Sequence, residues 1–382
     1  MKVFRNYLFV MLMISGTLFD NALAQPKGET LVYFGTYTRG PSQGIYVSRF
    51  DLKTGKFSAP EVAAETKNPS FLAIHPNGQF LYSIAENAGD SNGMVSAFAI
   101  EKGGALKLLN QESVGGKGPA HLVVDKKGKA LLVANYGGGS VAALPVLDNG
   151  KLGALTAFIQ HAGSSVNPQR QKEPHAHSIN VDAANRFAFV ADLGLDKIMV
   201  YKFDAAKATL VANEPAFATV PAGGGPRHLA FHPNEKFAYV INEMTCTVTA
   251  FSYYANLGEL KELQTISALP NGAQPEAGMS GAEIQVHPSG KFVYASIRGH
   301  DTIAIFAVEK KTGKLTHIGN EPTQGKVPRN FAIDPTGKFL LAANQNSDSV
   351  VIFQIDEQTG SLKATGQILQ IPSPVCVKFV QK

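Results

Sequence analysis

Apolar and polar positions along the chain fall into one repeated phrase rather than into helical stripes. A short apolar strand leads into a turn of the type His-Pro-x-Gly, then a second apolar strand and a polar tip. Pro69-Ser70-Phe71-Leu72-Ala73-Ile74 passes through His75-Pro76-Asn77-Gly78 into Phe80-Leu81-Tyr82-Ser83-Ile84-Ala85-Glu86. The same phrase runs from Pro226 to Asn242-Glu243 and from Pro328 to Asn344-Gln345, with weaker copies from Pro119, Ala176 and Gly281. A spacing of roughly 50 residues belongs to propeller blades or solenoids. Each copy continues into a third strand, as in Thr302-Ile303-Ala304-Ile305-Phe306-Ala307-Val308, and past a Gly-containing turn into a fourth. Four short antiparallel strands per unit describe a propeller blade. Sustained helical periodicity is absent, which excludes a helical solenoid.

Six complete units leave two fragments. Residues 31–67 read as three strands around the turn Lys53-Thr54-Gly55-Lys56, and 373–381 as one. Three and one complete a further blade, and joining the two ends removes an exposed sheet edge. The expected fold is therefore all-β, a seven-bladed β-propeller with four antiparallel strands per blade. Its ring closes by pairing the C-terminal strand with the N-terminal strands. Residues 25–382 form this single domain.

Residues 1–24 are set apart as an export signal. Lys2 and Arg5 precede an apolar run from Tyr7 to Phe19 that is short for a membrane span, and Ala22-Leu23-Ala24 is a cleavage pattern. The expectation is cleavage after Ala24 and a secreted or periplasmic protein with no membrane contact afterwards. The net charge of +5 is mild and the basic residues are scattered, so no nucleic-acid surface is expected. Cys246 and Cys376 sit inside apolar strands and read as two buried free thiols. The chain has no Trp, which excludes a WD40 propeller.

In a blade whose strands run outwards from the axis, the start of the first strand and the tip of the second share a face. The starts are Ser70, Ala120, His177, Arg227, Ala282 and Arg329, followed by Phe71, His121, Ser178, His228, Glu283 and Asn330. The tips are Glu86, Tyr136, Leu193, Glu243, Arg298 and Gln345, preceded in two blades by Asn135 and Asp192. One face thus collects acid, base and cationic groups. The opposite face collects His75, Asp125, Asp182, His232, His287 and Asp334, which read as side-chain caps of tight turns. No nucleophile elbow, P-loop, dinucleotide fingerprint or His-Glu-x-x-His is present.

Phe34-Gly35-Thr36-Tyr37-Thr38, Pro174-His175-Ala176-His177, Gly225-Pro226-Arg227-His228-Leu229, Asn242-Glu243 and Ser296-Ile297-Arg298-Gly299-His300-Asp301 resemble signatures of the seven-bladed lactonase family. That family includes the propeller-type 6-phosphogluconolactonases and a fungal carboxymuconate cyclase. The resemblance implies His177, Arg227, Glu243 and Arg298 as catalytic residues, with His175 as the alternative histidine. Glu86, Asn135, Tyr136, Asp192, His228, Arg329, Gln345 and His175 are the expected substrate-binding residues on the same face. The expected function is hydrolysis of a sugar-type lactone by water, with either Glu243 or His177 as base. No cofactor, no metal and a monomer are expected. A lactonising cyclase or isomerase, a glycan- or protein-binding propeller, and a calcium site built on Glu86, Asn135, Asp192, Asn242 and Asn344 are the alternatives.

Overall fold

The computed structural model describes residues 28–86 and 93–380; the expected export signal lies outside them. Among the described residues, 28 strands form seven four-stranded antiparallel sheets arranged as the blades of a ring. In chain order, blade 2 spans 72–113, blade 3 119–160, blade 4 176–219, blade 5 226–267, blade 6 280–322 and blade 7 328–370. Blade 1 joins the two ends: Pro374–Phe379 is innermost, followed outwards by Glu29–Thr36, Gly44–Asp51 and Glu61–Glu65. Phe34 faces Val377 and Gly35 faces Cys376 across that closure.

The core lies between blades. The middle strands are buried on both sides, as in Ala130–Asn135 and Phe339–Asn344, so their sequences read as continuous apolar runs rather than alternating ones. Apolar clusters bridge neighbouring blades, for example Tyr239, Ile241 and Val248 of blade 5 with Val293, Ile297 and Phe306 of blade 6. A polar device repeats across these seams. The buried hydroxyls of Tyr33, Tyr82, Tyr239 and Tyr294 donate to the carbonyls of Gly104, Gly150, Gly313 and Gly360 in the next blade, at 2.8–3.0 Å. Gly313 has φ +72°, and a Cβ there would strike the ring of Phe237, so the turn needs both the left-handed backbone and the missing side chain.

The His and Asp residues of the opposite face hold their turns. The Asp182 carboxylate accepts from the amides of Arg186 and Phe187, and the Asp334 carboxylate from that of Phe339. In His232, Nδ1 accepts from the Asn234 amide and Nε2 donates to the Gly290 carbonyl of the next blade, at 2.8 Å. Cys246 and Cys376 are buried free thiols, each pushed up to about 11 by burial.

Candidate active site

The innermost strands do more than pair. In blade 5, Pro226 pairs with Asn242 and His228 with Ile241, so Arg227 is the extra residue of a β-bulge. His177 holds the same place in blade 4, Arg329 in blade 7, Ala120 in blade 3 and Val375 in blade 1. A bulge leaves one residue unpaired and re-aims its side chain. Here all five turn towards the axis. With Ser70 of blade 2 they line one small cavity, together with Tyr37, Phe71, Glu86, His228 and Asn330. Its volume is about 10 Å³, room for a single water.

Arg227 is 3% exposed and anchored twice. Its Nε donates to Glu243 Oε2 at 3.1 Å and its Nη1 to the Ala282 carbonyl at 2.7 Å. Arg298 approaches the same Oε2 through Nη2 at 3.0 Å and also donates to the Gly281 carbonyl. Arg170 donates through Nη2 to Glu243 Oε1 at 2.7 Å and to the Tyr136 hydroxyl at 3.1 Å. Three guanidiniums therefore share one carboxylate. Burial works against the charge of Glu243, but Arg298, Arg227 and Arg170 outweigh it and hold the carboxyl at about 2. Burial, with Arg298 and Arg329 nearby, brings Arg227 down to about 9, so it stays charged at neutral pH.

His177 is 5% exposed, and its Nδ1 is buried without a hydrogen-bond partner. Burial, then the charges of Arg227, His228 and Arg329, pushes its pKa well below the ordinary imidazole value. It is neutral at pH 7. His228 sits against it with ring centroids 5.3 Å apart; its Nδ1 meets Glu283 at 3.2 Å and its Nε2 is a second buried nitrogen without a partner. Glu283 also accepts from Asn330 Nδ2 and from the Ile284 amide.

The structure brings His177, Arg227, His228, Arg329 and Glu86 together on the cavity wall. Glu86 accepts from the hydroxyls of Tyr37 and Ser70, and the Tyr37 ring lies 5.5 Å from the Arg329 guanidinium carbon. Glu243 and Arg298 stand behind Arg227 and do not line that cavity. Tyr136 and His175 stack at 4.6 Å beside it, with Tyr136 5.2 Å from the His177 ring. Three of the expected residues lie elsewhere. Asn135 is fully buried inside blade 3, where Nδ2 donates to Ser140 Oγ. Asp192 is fully buried, taking His161 Nδ1 at 2.6 Å and the amides of His175 and Gly194, so it braces the loop before His177. Gln345 is half-buried at the start of the turn Gln345–Ser347 and does not line the cavity.

Of the residues of the calcium alternative, Glu86 lines the cavity and Asp192 braces its loop. Asn242 and Asn344 donate through Nδ2 to Thr249 and the Thr323 carbonyl, while the Oδ1 atoms of Asn135, Asn242 and Asn344 are buried without a partner among the described residues. Among the described residues, no three His, Cys, Asp or Glu side chains are grouped to hold a metal ion.

Arg170 is absent from the expectations above. It lies in residues 161–175, the longest of the seven blade-to-blade crossings, outside the repeated phrase that aligned the other positions. The only sequence signal is the length of that interruption.

Comparison with known proteins agrees with this architecture. Among curated relatives, a 6-phosphogluconolactonase of Bacillus subtilis is 37% identical over 351 residues, covering 92% of this chain and 98% of its own. A 6-phosphogluconolactonase of Formosa agariphila is 39% identical, covering 76% of this chain and 83% of its own. The solved structure of the Pseudomonas aeruginosa periplasmic gluconolactonase PpgL superposes with a TM-score of 0.86 at 35% identity, covering 92% of this chain and 99% of that one. The family model described as "Lactonase, 7-bladed beta-propeller" matches residues 31–379, and the chain belongs to that family.

Proposed function

We propose that this protein opens a sugar-type lactone at the floor of the funnel, with His177 as the general base and Arg227 as the oxyanion donor. The observation that carries the assignment is a buried, neutral His177 that lines a water-sized cavity beside Arg227. A neutral imidazole accepts the proton of a water as the water oxygen attacks the ring carbonyl carbon. The negative charge that develops on the carbonyl oxygen meets Arg227, whose Nη2 has no hydrogen-bond partner among the described residues. Such a preorganised donor contributes about 3–4 kcal/mol. When the ring C–O bond breaks, the imidazolium returns its proton to the departing alkoxide, leaving an open-chain hydroxy acid. Burial keeps the imidazole in the neutral form that can accept a proton, and although the low pKa of its conjugate acid weakens it as a base, the same low pKa makes the imidazolium a strong donor to the alkoxide. Glu243, held at about 2 by three arginines, is a weak base; its part is to fix Arg227 and Arg298.

Export to the periplasm or medium is part of the same reading. It rests on the leader pattern of residues 1–24 and on the periplasmic relative, and N-terminal sequencing of the exported protein tests it by starting, or failing to start, at Gln25. For the chemistry, a pH-indicator assay of the purified protein uses gluconolactone, 6-phosphogluconolactone, muconolactone and an acyl-homoserine lactone. Acid release above the spontaneous rate on at least one lactone, reduced about 10²–10⁴-fold in His177→Ala, is the expected result. No release from a folded protein, or full turnover by His177→Ala, refutes it.

A further inference from the structure

We propose that Arg170 is a specificity-determining residue that selects lactones bearing a second anionic group, a phosphate or carboxylate remote from the reacting carbonyl. This rests on the hydrolase reading above and extends it to the class of substrate. Arg170 stands at the mouth of the funnel with its side chain 44% exposed, whereas Arg227 below it is 3% exposed. Both of its hydrogen bonds, to Glu243 and to Tyr136, use Nη2. Nη1 and Nε have no hydrogen-bond partner among the described residues, so one edge of a planar fork is fixed and the other is open. That geometry suits a carboxylate or phosphate.

The position is built rather than incidental. The turn that carries Arg170 is pinned by Gln171, which is fully buried. Gln171 donates to the Leu193 carbonyl at 2.8 Å, its side-chain oxygen accepts from the Asn167 amide, and its own amide returns to the Asn167 carbonyl. Asn167 Oδ1 accepts from the amides of Gln169 and Arg170, and Ser165 ties the loop to Asp196 at 2.6 Å. A guanidinium held this way loses little freedom when an anion arrives. The charges also leave room for one: the four guanidiniums of Arg170, Arg227, Arg298 and Arg329 meet three carboxyl groups, those of Glu243, Glu86 and Glu283. A neutral lactone leaves that excess unanswered. An anionic substituent engages Arg170 while its carbonyl lies over Arg227, and binding energy from the remote group then orients the reacting one.

The test compares wild type, Arg170→Ala and Arg170→Gln on gluconolactone and 6-phosphogluconolactone. Calorimetric binding of gluconate and 6-phosphogluconate to the same proteins is measured in parallel. The expected result is a fall of about 10- to 100-fold in the ratio of kcat/KM for the phosphorylated over the neutral lactone, the range for a hydrogen bond to a charged group. The preference of wild type for 6-phosphogluconate over gluconate shrinks by a similar factor in both variants. A ratio that holds while both rates fall together overturns the assignment and makes Arg170 a support for Glu243. A ratio and a binding preference that do not change overturn it as well. If wild type opens neither lactone, the sugar-lactone reading fails, while the two binding constants still decide the role of Arg170.

Discussion

Replacing Glu243 by Gln removes one charge and almost no volume, and it isolates what the carboxylate does. In the folded protein Oε2 receives Arg227 and Arg298, with side chains 3% and 13% exposed. An amide cannot balance them, and its NH₂ group opposes at least one guanidinium. Breaking a buried ion pair from one side costs about 3–5 kcal/mol, because the remaining charge is left uncompensated. Unfolding entropy of about 2.1 cal/mol/K per residue over roughly 350 ordered residues makes 1 kcal/mol worth about 1.4 °C, so the expected drop in Tm is about 4–7 °C. Thermal unfolding followed by circular dichroism measures it. A double-mutant cycle with Arg298→Met assigns it: the second substitution costs at least about 1 kcal/mol less in the Glu243→Gln background than in wild type. Activity falls about 10²–10³-fold as Arg227 loses its anchor. The residual activity keeps the acidic limb of its pH profile, because the base is His177. A Tm within about 1 °C of wild type, less than the shift that 1 kcal/mol produces, refutes the compensation argument, as do additive effects in the cycle. Loss of the acidic limb in Glu243→Gln makes Glu243 the base and refutes the division of roles.

Other outcomes follow from the same structure. His121, His177 and His228 are all held below the ordinary imidazole pKa by burial first, so the unfolded chain binds protons that the folded one refuses. Stability is full above about pH 6.5 and declines as pH falls below it, by up to roughly 1.4 kcal/mol per pH unit for each histidine; denaturant titrations between about pH 7 and pH 5 measure the slope, and His121→Phe lowers it. Tyr239→Phe leaves the buried Gly313 carbonyl without its donor and costs about 1–3 kcal/mol in the same assay, with no change in KM. EDTA leaves the hydrolysis rate unchanged, since arginines supply the charge stabilisation; a rate lost to EDTA and restored by calcium overturns that reading.

The blade count and the ring closure were legible in the chain because each blade repeats one phrase, and because 31–67 and 373–381 are incomplete without each other. The column Ser70, Ala120, His177, Arg227 and Arg329 was legible for the same reason: a shared register places these residues at one height on the ring. What no local pattern encodes is direction. In a regular strand, successive side chains point to opposite faces, and only the bulges at His177, Arg227 and Arg329 turn them to the axis. Asn135 and Asp192 share the register of the funnel, yet Asn135 Nδ2 donates to Ser140 within its own sheet and the Asp192 carboxylate takes His161 and the amides of its own loop. Arg170 reaches Glu243 from 73 residues away, through a crossing that belongs to no repeat. Local patterning determined the elements and their number. The pairing of a few charged groups across blades, where desolvation makes each partner count, was decided only by the closed ring.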